Sequence, residues 1–192
     1  MSIRIVALVG SARAGSHNRQ LAETAIKLAP EGVEVQLQEG LAQVPFYNED
    51  IDVEDGVPQQ AAALREAVAH ADAVLLFVPE YNGTMSAVLK NAIDWLSRPF
   101  GAGALAGKPV AVIGASGGQY GGVWAHEDAR KAAKTAGGAV IEDITFSIPD
   151  SLNRFAGIHP LDDREVATEL ASAVGRLAQA AQRAAEETTV AL

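Results

Sequence analysis

Three short stretches of this sequence concentrate the side chains that could do chemistry. The first, residues 10–19, reads Gly-Ser-Ala-Arg-Ala-Gly-Ser-His-Asn-Arg. It places Ser11, Arg13, Ser16, His17, Asn18 and Arg19 just ahead of, or at the start of, a helical pattern. A helix start presents unbonded main-chain N–H groups and the positive end of the peptide dipoles. With hydroxyls and a guanidinium beside it, it makes a strong phosphate site. The stretch is not a Walker loop, because no GxxxxGK is present. Nor is it the dinucleotide GxGxxG, since a single Gly closes the preceding apolar run. That favours a mononucleotide with one phosphate at the first helix. An ordinary turn with a Ser or Asn cap fits the same residues, and both readings stand.

The second stretch is Pro79-Glu80-Tyr81-Asn82-Gly83-Thr84, directly after the most apolar run of the chain. Pro79 restricts the backbone and Gly83 releases it, which suits main-chain N–H groups aimed at a planar ligand. A solvent-facing Asn-Gly turn is the other reading. The third stretch, Gly114 to Gly122, holds five glycines in nine residues. Close approach of backbone to a flat ligand would explain their entropic cost, and Gln119 and Tyr120 could then touch a ring. A flexible loop without function also fits.

Other chemistries fall away. The chain has no Cys, so it carries no disulfide, thiolate nucleophile or cysteine-held cluster. His17, His70, His126 and His159 show no HxH or HExxH spacing, and no metal site is expected. His70, at a helix end, is expected to be exposed. Ser116 sits in GASGG rather than GxSxG, which leaves hydrolysis a minor reading. No catalytic side chain stands out. The net charge of −9 disfavours nucleic acid and anionic membranes as partners. The longest apolar runs are about seven residues, where a membrane span needs about twenty. The N-terminus MSIRIVALVG reads as a strand rather than a signal peptide, and a cytoplasmic protein is expected.

The elements that must position these stretches alternate. Strands are predicted over Ile3-Val9, Val33-Leu37, Ala73-Val78, Val110-Gly114 and Ala139-Ile144. Helices are predicted from Ser16 or His17 to Leu28, over Ala61-Ala69, Ser86-Leu96 and Trp124-Thr135, and in a long C-terminal helix from about Asp162. Segment Glu39-Gln59 reads as irregular, and Pro149 and Pro160 mark a loop. Trp95 and Leu96 look like packing or subunit-contact residues. Such βα units imply an α/β fold, a doubly wound five-stranded parallel sheet with helices on both faces. All 192 residues are expected to form one domain. Ligands of such sheets bind beyond the carboxyl ends of the strands, where all three stretches fall.

Taken in order, the stretches resemble the NADPH-dependent FMN reductases, a flavodoxin-like family that includes bacterial quinone and chromate reductases. The likeness runs from Ile3 to about Ile144. It rests on G-S-x-R-x-x-S-x-N-R at Gly10 to Arg19, P-E-Y-N-G at Pro79 to Gly83, L-K-N-A-I-D-W at Leu89 to Trp95, and G-x-S-G-G at Gly114 to Gly118. The resemblance implies strand order 2-1-3-4-5 and bound FMN. Ser11, Arg13, Ser16 and Asn18, with helix N–H groups and His17 alongside, would hold the phosphate. Pro79, Glu80, Tyr81, Asn82 and Gly83 would run along the isoalloxazine ring, and Ser116, Gly117, Gly118 and Tyr120 would border its pyrimidine side. It further implies hydride transfer from NADPH or NADH to a quinone-like small molecule by a ping-pong route, with the chemistry carried by the flavin. A homodimer or homotetramer is implied, with Ser86-Leu96 and Pro45-Asn48 near the boundary. A flavodoxin-type electron carrier and a relative that has lost FMN are the alternatives. Thr84-Met85-Ser86-Ala87 stands where many relatives have Pro-Gly or Pro-Ala. Ser86 is expected to cap the following helix, and Met85 to enter the ring pocket or simply to pack.

Overall fold

The computed structural model describes residues 2–190, with side chains to residue 187. Its main sheet contains β1 (Ile3–Val9), β2 (Val33–Leu37), β3 (Ala73–Phe77), β6 (Pro109–Ala115) and β7 (Ala139–Ile148). All pair in parallel, in the order β2-β1-β3-β6-β7, the order the resemblance implies. The β-rich runs of β1, β3 and β6 lie in the middle of the sheet, where both faces are covered, and every residue of β3 is buried.

Helices α1 (His17–Lys27) and α6 (Arg164–Val190) cover one face. Helices α2 (Gln59–His70), α3 (Ala87–Leu96) and α4 (Val123–Thr135) cover the other. Leu170, Val174 and Leu177 give α6 its apolar stripe against the sheet, as their three- and four-residue spacing requires. Two serines start helices at the site end. Ser16 Oγ accepts the N–H of Arg19 and Ser86 Oγ that of Leu89, so Ser86 does serve as an N-cap. Among the described residues, no helix is long and apolar enough to cross a membrane.

The irregular segment after β2 is held down by α2 and α3. Asn91 accepts the N–H of Tyr47 at 2.8 Å and donates to the carbonyls of Val44 and Pro45, each at 3.1 Å. Trp95 is fully buried and its Nε1 donates to Pro45 O at 2.8 Å, so it packs, as expected. Arg65 stacks on Trp95 and binds Asp52 with both Nη atoms at 2.6 and 2.7 Å. The L-K-N-A-I-D-W stretch therefore owes its Asn and Trp to this attachment.

Three elements differ from the sequence reading. Pro79–Ser86 is not a plain loop: β4 (Glu80–Tyr81) and β5 (Thr84–Met85) form an antiparallel hairpin. Strand β7 runs to Ile148 rather than stopping near Ile144, because a bulge shifts its register on β6 from Val110↔Val140 to Val112↔Thr145. A short helix, α5 (Ser151–Arg154), then forms where only a loop was expected.

Candidate functional site

Register brings the three stretches level. Val9 lies opposite Phe77, and Phe77 opposite Ile113, so the chain leaves β1 and β3 at one height and β6 two residues beyond it. The first two loops touch at Gly10. A Cβ there would stand 2.8 Å from both Pro79 Cδ and Ser86 Oγ, and only glycine fits.

In the first loop, Ser16 caps α1, which leaves the N–H groups of His17 and Asn18 without partners inside the helix. The Arg13 guanidinium lies exposed beside them and meets only Ala14 O, at 3.3 Å, among the described residues. His17 stacks edge-on against Phe155 with ring centroids 5.3 Å apart. Burial first, and then the Arg13 charge, hold its pKa below the ordinary 6.5, so the ring is neutral at neutral pH. Arg19 pairs with Glu23 at 3.0 Å and with the carboxylate of Glu39, and it lines the hollow next to Ser11 and Arg13.

Asn18 behaves differently from its expected role at a phosphate. Its side chain is buried, donates from Nδ2 to Ala115 O at 2.9 Å and accepts Ala115 N–H on Oδ1 at 3.0 Å. What it presents to an anion is its main-chain N–H. The side chain braces α1 against β6.

In the second loop, Asn82 (φ 54°) and Gly83 (φ 77°) are the central pair of the hairpin turn, the combination a type I′ turn demands. The Glu80 carboxylate accepts Ala125 N–H at 3.4 Å, and Thr84 Oγ1 bonds Asp128. Met85 is buried in the α2–α4 side of the core and also borders a side hollow, so it packs while touching the mouth of the loop.

The third loop is tied down by the segment after β7. Ser116 N–H donates to Ile148 O at 3.1 Å, Ser151 N–H to Ser116 O at 3.0 Å, and Asp150 N–H to Gly118 O at 3.1 Å. Ser116 Oγ accepts Gly118 N–H at 3.2 Å. Tyr120 is exposed and meets Trp124 edge-on, with centroids 5.0 Å apart.

Ten of the residues singled out from the sequence border one cleft of about 130 Å³: Ser11, Arg13, Ser16, His17, Asn18, Pro79, Glu80, Tyr81, Ser116 and Gly117. Asn82, Gly83, Gly118 and Tyr120 are not among its walls; Asn82 borders the side hollow with Tyr81, Thr84 and Met85. Sequence reasoning missed two wall residues, Ser151 and Leu152, which the extended β7 delivers. Their only signal was Pro149-Asp150-Ser151, a pattern of helix starts. The cleft is continued by two hollows, one of about 420 Å³ that shares Ser11 and Arg13, and the side hollow of about 480 Å³ that shares Tyr81. Ligand sites of mononucleotide size run from about 300 Å³ upward, so the open groove has room for a phosphorylated ring. An anion cradle at one end and Gly-bordered backbone at the other fit the two ends of FMN.

Comparison with known proteins agrees. The profile of the NADPH-dependent FMN reductase family matches residues 3–153. An NAD(P)H-dependent FMN reductase of Pseudomonas aeruginosa is 43% identical over 119 residues, 62% of this chain and 63% of that one. A quinone reductase of Escherichia coli K12 is 43% identical over 120 residues, with the same coverage of 62% and 63%. This chain thus spans just under two thirds of the length of those relatives. Among solved structures, the flavoenzyme NAD(P)H:(acceptor) oxidoreductase FerB from Paracoccus denitrificans superposes with a TM-score of 0.83 at 30% identity, covering 94% of this chain and 98% of that one. Since the profile takes in all five strands of the main sheet and all three loops, this chain belongs to the NADPH-dependent FMN reductase family.

Proposed function

We propose that this protein is an FMN-dependent NAD(P)H oxidoreductase, a single domain that reduces quinone-like acceptors by a ping-pong route. The observation that carries this reading is the convergence of an anion cradle and two backbone-lined loops on one cleft. Ser11, Arg13, the Ser16 cap and the N–H groups of His17 and Asn18 would hold the phosphate. Pro79–Gly83 and Ser116–Gly118, with Tyr120 at the rim, would border the ring. When bound, the flavin supplies the hydride chemistry, taking hydride from the nicotinamide and giving it to the acceptor.

The chain's own part is placement. Main-chain N–H groups of the second and third loops stabilise negative charge without reorganising, because hydrogen bonds to β7 and α4 already fix those loops. Leu152 and Tyr81, exposed on the cleft wall, would cover part of a bound ring from bulk water. We assign no side chain the role of acid or base. Quinone as acceptor is supported by the name of the Escherichia coli relative.

Self-association into a dimer or tetramer is supported by two exposed aromatics, Phe46 and Phe100, and by a hollow of about 660 Å³ between α3 and α4 that Phe100 borders. A cytoplasmic setting fits the absence of Cys.

The test is direct. Purified protein is titrated with FMN, then supplied anaerobically with NADPH or NADH and each of a quinone, free flavin and a nitroaromatic. Saturable FMN binding with NAD(P)H oxidation dependent on quinone is expected. FMN binding without NAD(P)H oxidation would favour an electron carrier, and no FMN binding would overturn the reading.

A further inference from the structure

We propose that the first turns of α4 clamp the second loop in place, with His126 as the positioning residue that sets the backbone along the flavin ring. The inference rests on the flavin reading above for its purpose, and on hydrogen bonds for its substance.

His126 is fully buried. Its Nε2 lies 3.0 Å from Val78 O and its Nδ1 lies 2.7 Å from Ser147 Oγ. A carbonyl oxygen only accepts, so Nε2 carries the proton and Nδ1 accepts the Ser147 hydroxyl. One ring therefore joins α4 to the end of β7 and to the last residue before Pro79. The other side of Val78 is fixed too, because its N–H donates to Ile113 O at 2.9 Å.

The grip continues along α4. Ala125 N–H reaches the Glu80 carboxylate at 3.4 Å, near the positive end of the helix. Asp128 takes the Thr84 hydroxyl. Residues 78, 80 and 84 are thus held by residues 126, 125 and 128, and only Tyr81 and the Asn82–Gly83 tip lie between residues 80 and 84. The His126 ring can reach Val78 because Gly114 has no side chain. A Cβ there would stand 2.9 Å from His126 Nε2 and 2.9 Å from Asn18 Oδ1, and would overlap Val78 O. Residues governing all three loops meet at that point. Without the clamp, the hairpin is a pair of two-residue strands, too short to hold its own geometry.

The experiment compares wild type, His126→Leu and His126→Gln by FMN titration and by amide hydrogen exchange of the ligand-free protein. His126→Leu should raise the FMN dissociation constant at least tenfold and speed exchange at residues 80–84 at least tenfold, with α1 unchanged. Gln can donate to Val78 and accept from Ser147, and should restore both readouts to within about threefold. A Leu variant with wild-type affinity, with unchanged exchange at 80–84, or with exchange raised evenly through the chain would overturn the proposal, as would a Gln variant no better than Leu. If His126→Leu does not fold, Thr84→Val at an exposed position decides: faster exchange at residues 81–83 supports the clamp and unchanged exchange sinks it. If wild type binds no FMN, the flavin reading fails, while the exchange comparison still decides whether the clamp exists.

Discussion

Asn18 and Ala115, 97 positions apart in sequence, are joined by both ends of one carboxamide, with Nδ2 on the carbonyl oxygen at 2.9 Å and Oδ1 on the N–H at 3.0 Å. The pair ties the first turn of α1 to the end of β6, so the phosphate end and the ring end of the cleft share one brace. Asn18→Ala leaves two buried main-chain groups without partners, which costs about 2–3 kcal/mol. Urea unfolding should show that loss. Because the brace serves the whole cleft, affinity for FMN and for riboflavin should fall by similar factors. Loss of FMN binding with riboflavin binding intact would instead place the Asn18 side chain on the phosphate.

Arg13 makes the opposite case. It is exposed and bonds only Ala14 O among the described residues, so the fold gains little from it. Arg13→Ala should leave the melting temperature unchanged within about 1 °C. Charge-assisted bonds to a phosphate are worth roughly 1.5–3 kcal/mol, so FMN affinity should drop about ten- to a hundredfold. Riboflavin, which has no phosphate, should bind both proteins alike. Equal FMN dissociation constants would remove Arg13 from the site.

Much of this was legible in the sequence, for physical reasons that also set its limits. The central strands are continuous apolar runs, and such runs mark strands covered on both faces. The loops stood out because serines, an arginine and glycines at strand ends have few structural uses in such density. The Asn18 brace was not legible, since a carboxamide that holds a distant backbone looks the same in sequence as one that binds phosphate. The end of β7 was hidden by its bulge and by half-exposed edge residues that blur alternation. Helix α5 is four residues long, too short for a helical period. The hairpin did carry its signal, Asn82-Gly83. His126 was read as one scattered histidine because its partners lie 48 and 21 positions away.

Gly114, near the end of β6, and Gly117, in the loop after it, should respond differently to a methyl group. At Gly114 the new Cβ overlaps Val78 O, a main-chain atom that cannot swing aside. Gly114→Ala should therefore destabilise the fold by at least about 2 kcal/mol. At Gly117 the backbone is outside the left-handed region, and the new Cβ meets only Leu152, at 3.1 Å. That leucine is 63% exposed and free to move. Gly117→Ala should fold with nearly wild-type stability, and Gly117→Val should weaken flavin binding by filling the cleft. Thermal unfolding and FMN titration of the variants separate the cases. Equal destabilisation by the two alanines would contradict the assignment.

The buried imidazole of His126 also predicts how stability changes with acid. Burial, with a contribution from the Arg130 charge and against the pull of the Val78 carbonyl, lowers its pKa from 6.5 to about 4. Between those values the unfolded chain binds a proton that the folded chain refuses, so unfolding becomes easier as pH falls. Stability is complete above pH 6.5, declines through the window and levels near pH 4, with a total loss of roughly 3 kcal/mol from this group. His17, whose pKa is also lowered, adds a loss of the same sign. The carboxylates of Asp52, Asp163 and Glu39, held below their usual range by Arg65, Arg154 and Arg19, add theirs only at lower pH. His126→Gln keeps the hydrogen bonds and cannot titrate. Urea unfolding from pH 7 to 4.5 should therefore show a shallower decline in the variant than in wild type, and parallel curves would mean that the ring is already protonated, or already exposed, in the folded protein.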